Sequence, residues 1–172
     1  SLMAHSPQSK DFTLPEILGD SIVLLVGGND TTRNTLTGSV YALDRNPEQN
    51  EKLRANPALI PGMVSETIRW QTPLTHMVRR ANEDVEVGGK TSRKGDLIAL
   101  WYVSGNRDDN KIDQPNEYII DRKNPRQHLS FGFGVHRCLG NRLAELQLRL
   151  TWEEILKRFP EINVVGEPER AY

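Results

Sequence analysis

The sequence feature that most constrains this chain is a glycine-rich stretch, residues 131–140, that runs directly into a helical pattern. The stretch reads Phe-Gly-Phe-Gly-Val-His-Arg-Cys-Leu-Gly and holds Cys138, the single cysteine among 172 residues. Leucines at positions 139, 143, 146 and 150 follow at helical spacing. The pattern predicts a tight loop that leads into an amphipathic helix, with Cys138 at the N-terminal end of that helix.

The neighbours of Cys138 indicate a metal-ligating role. The N-terminal end of a helix favours a negatively charged sulfur, because unpaired amide groups and the positive end of the helix dipole lie there. Gly134 and Gly140 suit positions where a large flat group approaches the backbone, and Phe131 is placed to cover the open side of the sulfur. A lone cysteine without such neighbours would more simply be a small buried hydrophobe.

Two other chemistries use the same residues. His136 is available as the base for a cysteine nucleophile, but the surrounding residues match no protease signature. His128, His136 and Cys138 offer three zinc ligands, although no paired spacing completes a tetrahedral site. A zinc-holding or noncatalytic fragment therefore stays open as the alternative interpretation.

Composition excludes several classes of protein. With 37% hydrophobic residues and a net charge of −1, the chain can bury one core of ordinary domain size. No basic run with interleaved aromatic residues indicates nucleic acid binding, and the apolar runs are shorter than the roughly 18 residues of a membrane span. A single cysteine fits a reducing, cytoplasmic location, and residues 1–6 do not resemble a signal peptide.

A second motif lies within a long helix that is predicted over residues 13–46. Thr13 and Glu16 have the spacing of a capping box, and an Asn-Pro pair ends the pattern. The middle of this helix, residues 27–32, reads Gly-Gly-Asn-Asp-Thr-Thr, and its two glycines cost about 2 kcal/mol relative to alanine.

Paired glycines in a helix can simply permit close packing of another element. The alternative is that Gly27 and Gly28 let a planar group approach. In that interpretation Thr31 donates a hydrogen bond to the carbonyl of Gly27 and widens the helix. We expect the second arrangement.

The remaining elements are predicted from proline, glycine and alternation signals. Helices are expected over 47–56 and from Pro61 to the residue before Pro73, and extended segments over 77–81, 83–87 and 97–102 with a turn at Gly88-Gly89. Residues 106–126 are polar and turn-rich, and 161–172 are expected to form a short strand and tail. The predicted fold class is therefore mainly α with a small β-sheet, an α+β arrangement.

These motifs together resemble the cytochrome P450 family. The pattern Phe131-x-x-Gly134-x-x-x-Cys138-x-Gly140 is similar to its haem-binding loop, and residues 27–34, 66–74 and 128–134 look most like soluble bacterial alkane terminal hydroxylases. The resemblance implies haem b held by the Cys138 thiolate, whose electron donation favours O–O bond cleavage. It spans residues 1–172 as a partial domain, and the N-terminal helices that roof the pocket and a final hairpin are expected to be missing.

The resemblance implies roles for residues of the long helix and the glycine-rich loop. Asp30 and Thr31 would be the acid and alcohol that deliver protons during dioxygen activation. Gly27 and Gly28 would let the helix approach the haem. The loop residues expected to contact the haem are Phe131, Gly132, Gly134 and Gly140, with Cys138 as the iron ligand.

The resemblance also implies residues that bind the haem propionates and residues that line the substrate pocket. Arg79 and His136 would bind the haem propionates, with His76 as a weaker candidate, and the fork of an arginine suits a carboxylate. Leu74 and Thr75 would line the substrate pocket.

A Glu-x-x-Arg pair, Glu66 and Arg69, shares one helix face. Taken alone such a pair is most often a solvated surface pair worth little. By resemblance it would instead form a buried structural ion network with Arg122.

The implied activity is the insertion of one oxygen atom from O2 into an apolar substrate, by terminal hydroxylation of alkanes or fatty acids. Electrons would come from a ferredoxin and an NAD(P)H-dependent ferredoxin reductase. Between Arg122 and Arg158 the chain has eight Lys or Arg and three Glu, a field that suits an acidic ferredoxin. Glu145 is a departure, because many family members carry arginine at that place.

Overall fold

The computed structural model of the protein describes residues 6, 7 and 9–169. In chain order its elements are α1 (Leu14–Arg45), α2 (Pro47–Ala55), α3 (Ile60–Gln71), β1 (His76–Arg80), β2 (Val85–Val87), β3 (Lys90–Ser92), β4 (Leu97–Trp101), α4 (Tyr102–Gly105) and α5 (Asn141–Arg158). Single 3-10 turns lie at Pro57–Leu59 and Gly134–His136. The predicted mainly α fold class with a small β part is confirmed.

The long helix α1 begins and ends close to the predicted residues. The backbone N–H and the hydroxyl of Thr13 both donate to Glu16 Oε2, each at 2.7 Å. The helix continues without a break through residues 27–32, so the poor helix formers there do not interrupt it. Only its C-terminal half is packed, where Thr35, Ser39, Ala42 and Leu43 are buried.

The hydrophobic core lies where α1, α2, α3 and α5 meet the irregular segment between α4 and α5. Its buried members are Ala42, Leu43, Leu53, Ile60, Met63, Val64, Ile68, Tyr118, Ile120, Leu148 and Trp152. Helix α3 is at its centre, since eight of its 12 residues are buried.

The buried face of α5 is not the leucine stripe of the sequence pattern. Leu143, Leu146 and Leu150 are 60%, 42% and 47% exposed, whereas Leu148 and Trp152 are 3% and 2% exposed. The two buried residues are four apart and so share a face. The expected amphipathic helix is present, but packing against α1 and α3 selects a different face.

The β part consists of two separate antiparallel pairs, β1 with β4 and β2 with β3. Gly88 and Gly89 connect β2 to β3 with φ of 59° and 73°, values that two-residue hairpin turns require and glycine readily adopts. The turn was correctly predicted, but β3 was not, because Lys-Thr-Ser shows neither alternation nor apolar residues.

The expected strand in residues 161–172 is wrong for the described part, since 161–169 form none and 170–172 lie outside it. The segment is instead attached to the end of α1 through side chains. The N–H of Val164 donates to Asp44 Oδ1 at 3.1 Å, and Arg45 pairs with Glu167. These contacts take the place of strand pairing.

Candidate functional site

Cys138 lies in a compact loop between the Gly134–His136 turn and α5. Its N–H donates to the carbonyl of Phe131 at 2.8 Å. Gly132 and Gly134 have φ of 69° and 72°, in a region that side chains rarely permit. The loop is therefore closed on itself by backbone bonds, and the thiol of Cys138 is free and exposed.

The surface around the thiol is apolar and open. Phe133, Val135 and Leu139 are 84%, 95% and 91% exposed. A Cβ at Gly134 or Gly140 would meet no atom within 4 Å. A large flat apolar group can thus lie directly against the loop backbone, so the residues present fit a haem with a thiolate ligand.

Three other loop residues predicted to contact haem differ in their surroundings. Phe131 packs against the hydrophobic core, with its ring centroid 5.6 Å from that of His128, so it attaches the loop to the core. Gly132 is buried, and a Cβ there would lie 3.2 Å from the hydroxyl of Tyr102. His136 is exposed beside the thiol, and its contact with a propionate stays a prediction.

His76 and Arg79 lie on opposite faces of β1, because side chains alternate along a strand. His76 stacks on Trp101, with ring centroids 4.6 Å apart, and its Nδ1 is 3.1 Å from Thr75 Oγ1. The structure therefore does not bring Arg79 and the weaker candidate His76 to one face of the strand, and propionate binding by either stays a prediction. Leu74 and Thr75 are exposed in the segment just before it.

The predicted hydrogen bond in the glycine-containing turn of α1 is present. Thr31 Oγ1 donates to the carbonyl of Gly27 at 2.9 Å. Both carboxylate oxygens of Asp30 are also engaged, by Arg33 Nη2 at 2.6 Å and by Asn34 Nδ2 at 3.2 Å. The acid and the alcohol are thus each held by neighbours on their own helix.

The contacts between α1 and the C-terminal part of the chain run in the same order along both. Trp152 Nε1 donates to Ser39 Oγ at 2.8 Å. After α5, the N–H of Val164 reaches Asp44 Oδ1 at 3.1 Å. These bonds join the C-terminal half of α1 to α5 and to the segment that follows α5.

The two predicted halves of the site each precede the packed part of their helix. Thr31 precedes Ser39 by about 12 Å of helix. The start of α5 precedes Trp152 by roughly 16 Å, and Cys138 lies just before it. The acid–alcohol turn and the thiol loop therefore each lie outside the contact between Trp152 and Ser39.

The N-terminal half of α1 carries an exposed apolar stripe next to its glycines. Ile22, Leu25 and Val26 are all more than half exposed. A Cβ at Gly27 or Gly28 would meet no atom within 4 Å. This turn of the helix thus offers an open, apolar approach to a planar group.

The predicted ion network is present and fully buried at its centre. Glu66 is 0% exposed and accepts from Arg69 Nε and Nη2, from the N–H of Ile119 and from Arg122 Nε, at 2.7 to 2.9 Å. Each carboxylate oxygen therefore has two donors, and burial of the charge is compensated.

The two arginines are satisfied by main-chain carbonyls as well as by Glu66. Arg69 Nη1 donates to the carbonyls of Asn106 and Pro115, and Nη2 also to that of Glu117. Arg122 binds carbonyls of the same irregular segment. The network thus fixes that segment against α3, in agreement with a structural role.

Sequence reasoning missed the polar residues that connect α3 to the start of the Cys138 loop. Asn106, Thr72 and Ser130 are buried, and the Asn106 amide donates to both hydroxyls. Nothing in the sequence marks them, because an Asn in a polar segment and a Thr before proline are typical turn residues.

The zinc alternative is not supported. Among the described residues no group of three or more His, Cys, Asp or Glu side chains is arranged to hold a metal ion. Burial, with the nearby charges of Arg137, Arg69 and Arg126, lowers the pKa of His128 to about 4. Its Nδ1 is buried without a hydrogen-bond partner, so His128 is a packed neutral side chain.

No helix in the described part of the chain is long and apolar enough to cross a membrane.

Comparison with known proteins agrees with the geometry of the thiol loop and the ion network. The family model described as "Cytochrome P450" matches residues 1–163, and the chain belongs to this family. Membership implies a thiolate-ligated haem b, which the open, glycine-lined surface at Cys138 fits.

Three relatives illustrate the similarity. The structure of cytochrome P450-153 from Novosphingobium aromaticivorans is 47% identical with a TM-score of 0.92, over 99% of this chain and 43% of its own. CYP153D17 from Sphingomonas sp. PAMC 26605 is 50% identical with a TM-score of 0.92, over 98% and 42%. The methyl-branched lipid omega-hydroxylase of Mycobacterium tuberculosis is 40% identical over 99% of this chain and 40% of its own length.

The chain thus spans about two fifths of the length of these relatives. The haem-ligand loop, the ion network and the acid–alcohol helix all fall within that part.

Proposed function

We propose that this chain is the haem-binding part of a monooxygenase that inserts one oxygen atom from O2 into a terminal C–H bond of an alkane or fatty acid. One observation carries the proposal: Cys138 presents a free thiol from a closed loop onto an open apolar surface. A buried structural cysteine would have no such exposure.

In this proposal the chain's own residues hold the cofactor and deliver protons. Cys138 holds the haem iron as a thiolate, and the bound haem supplies the activation of O2. The Thr31 hydroxyl donates its hydrogen bond to the carbonyl of Gly27. Its oxygen lone pairs are therefore free to accept a hydrogen bond from a water molecule that carries a proton into the site. Asp30, held by Arg33 and Asn34, passes protons toward that hydroxyl. Arg79 and His136 bind the propionates.

The exposed apolar residues of α1 and of the segment before β1 suit an apolar substrate. The stripe of α1 and the exposed Leu74 offer contact to a hydrocarbon chain and few polar groups to orient anything else. The name of the M. tuberculosis relative, an omega-hydroxylase of methyl-branched lipids, supports oxidation at a chain end.

The electron donor is proposed to be an acidic ferredoxin, itself reduced by an NAD(P)H-dependent reductase, in the cytoplasm. Arg137 and Arg142 flank Cys138 in sequence, and no carboxylate of the described chain forms an ion pair with either. Glu145 pairs with Arg126 at 2.9 Å, which neutralises the acidic departure from the family pattern. Association rates that fall with added salt are expected, since charge steering is screened, and a salt-independent rate would contradict this partner.

The central test is the visible spectrum of the reduced, carbon-monoxide-treated protein. It is made in a complete cytochrome P450 that carries this chain's residues. We expect a strongly red-shifted Soret band, because a thiolate donates charge to the iron. Cys138→His should abolish the shift while retaining haem, and His136→Gln, which changes a neighbour of the thiol, should retain the shift. An unshifted band in the unsubstituted protein would overturn the proposal.

A further inference from the structure

Asn106 is a fully buried polar residue that joins two segments far apart in sequence. It follows α4, and its side chain is 0% exposed. Its Oδ1 accepts the N–H of Leu129 at 2.6 Å, and its Nδ2 donates to Thr72 Oγ1 at 2.9 Å and to Ser130 Oγ at 2.8 Å. One side chain thus connects the C-terminal end of α3 to residues 129 and 130, which lead into the Cys138 loop.

The neighbouring hydrogen bonds require an amide at this position. Thr72 Oγ1 donates to the carbonyl of Arg69 at 2.6 Å, and Ser130 Oγ donates to the carbonyl of Ile68 at 2.7 Å. Because both hydroxyl protons are used on carbonyls, each oxygen faces Asn106 as an acceptor. A carboxylate of the same shape would place an acceptor oxygen, in the position of Nδ2, against the two hydroxyl oxygens.

Thr72 is also the most strained residue at the end of α3. Its φ is 41° and its ψ is 64°, a left-handed conformation that is a genuine outlier for a β-branched side chain. Such a conformation persists only where its surroundings hold it. It turns the chain from α3 into Pro73 and Leu74, so the bond from Asn106 supports this turn as well as the loop.

We propose that Asn106 is a positioning residue that fixes the Cys138 loop relative to the end of α3 and to the segment leading into β1. It touches neither haem nor substrate in this role. The loop is also held by Phe131 in the core and by α5, so loss of Asn106 loosens the segment that leads into the loop rather than the whole loop. The inference deepens the proposed function, because the placed element is the thiolate ligand.

The test compares Asn106→Ala, Asn106→Asp and Ser130→Ala with Leu53→Ala. Leu53 is fully buried in the core and its truncation lowers global stability by leaving a cavity, so it serves as the matched control. All variants are made in a complete cytochrome P450 that carries this chain's residues. Amide hydrogen exchange is measured on the haem-free protein, at the amides of Gly132 and Cys138, whose hydrogen-bond acceptors Leu129 and Phe131 keep their carbonyls.

We expect exchange at these two amides to rise about tenfold more in Asn106→Ala than in Leu53→Ala, the size expected for an unsatisfied buried group. Asn106→Asp should be at least as damaging as Asn106→Ala, although it conserves volume. A side chain that merely filled space would give the opposite order. Ser130→Ala, the milder change, should raise exchange in the same direction and covers the case that Asn106→Ala does not fold.

The haem-loaded proteins give the second measurement, the fraction of the ferrous carbonyl complex with the red-shifted band. This fraction should fall in the Asn106 variants and stay complete in Leu53→Ala. Equal exchange in Asn106→Ala and Leu53→Ala would overturn the positioning role even if the band is normal. An unshifted band in the unsubstituted protein would instead overturn the proposed function, while the exchange data would still decide the role of Asn106.

Discussion

The surroundings of Glu66 and of Cys138 differ in how completely the chain itself satisfies them. Glu66 is fully buried, and each of its two carboxylate oxygens accepts two hydrogen bonds. Cys138 is exposed among apolar side chains that contact little else. The hydrogen bonds of Glu66 are all supplied by this chain, whereas the thiol of Cys138 is left open for another group to contact.

This difference follows from what each group requires. A buried charge is tolerated only where it is paired and hydrogen-bonded, because an unpaired one costs several kcal/mol. A thiolate that ligates a metal must remain accessible to it. Substitutions in the first region should therefore affect folding, and those in the second should affect haem chemistry with little effect on folding.

The largest expected effect concerns the open region as a whole. The 172-residue chain alone should show no measurable hydroxylase activity, weak haem binding and a tendency to aggregate, because Ile22, Leu25 and Val26 expose an apolar stripe. Fusion to the N-terminal half of a family member should restore haem binding and hydroxylase activity. Haem titration and thermal unfolding of the two proteins check this, and a cooperative, haem-saturated, active 172-residue protein would contradict it.

Within the closed region, Glu66→Ala should be strongly destabilising. Removal of the carboxylate leaves Arg69 and Arg122 buried without compensation, at about 3–5 kcal/mol, so stable haem incorporation should fail. Glu154→Ala is the control, because this residue pairs only on the surface of α5, where solvent screening leaves such pairs with little effect on stability. Denaturant unfolding and haem content are measured, and a folded, haem-bound Glu66→Ala protein that only turns over slowly would disprove the structural role.

His128 lies close enough to Arg69 and Arg137 for their charges to act on it. Its protonation should make stability depend on pH. Burial lowers its pKa from 6.5 to about 4, so below pH 6.5 the unfolded chain binds a proton that the folded chain does not. Stability from this group is complete above about pH 6.5 and is lost as the pH falls toward 4, by as much as about 3 kcal/mol. His128→Phe should flatten this part of the unfolding profile. A profile that His128→Phe does not alter would refute the assignment.

The smallest effect on stability is expected at Thr31. Its hydroxyl bonds only within α1, so Thr31→Ala in a complete enzyme should change unfolding by about 0.5 kcal/mol or less. Product formed per NAD(P)H should nevertheless fall as electrons go to hydrogen peroxide. Thr37→Ala removes a similar exposed hydroxyl bond two turns later and should keep normal coupling. Unchanged coupling in Thr31→Ala would remove this residue from the proton path.

The helices were predictable because their boundaries are encoded locally. Thr13 with Glu16, and the prolines at 47 and 61, mark helix starts through hydrogen bonds and φ restrictions within a few residues. The Glu66 network was predictable only through the family resemblance, since the spacing alone favours a surface pair.

The errors arose where distant packing decides the outcome. The buried face of α5 depends on Ser39 and α3 rather than on the positions of its leucines. Asn106 was missed because the three groups that its side chain bonds, two hydroxyls and one backbone N–H, lie 23 to 34 residues away in sequence.

The reach of the Glu66 network also bears on the order of events during synthesis. Glu66 lies 53 residues before Ile119 and 56 before Arg122. At ordinary elongation rates the ribosome needs roughly 3 to 10 s to make that interval. During this time Glu66 has Arg69 as a partner but not yet Arg122, so its carboxylate must stay partly hydrated. The nascent chain is therefore expected to delay burial of α3 until the irregular segment has emerged.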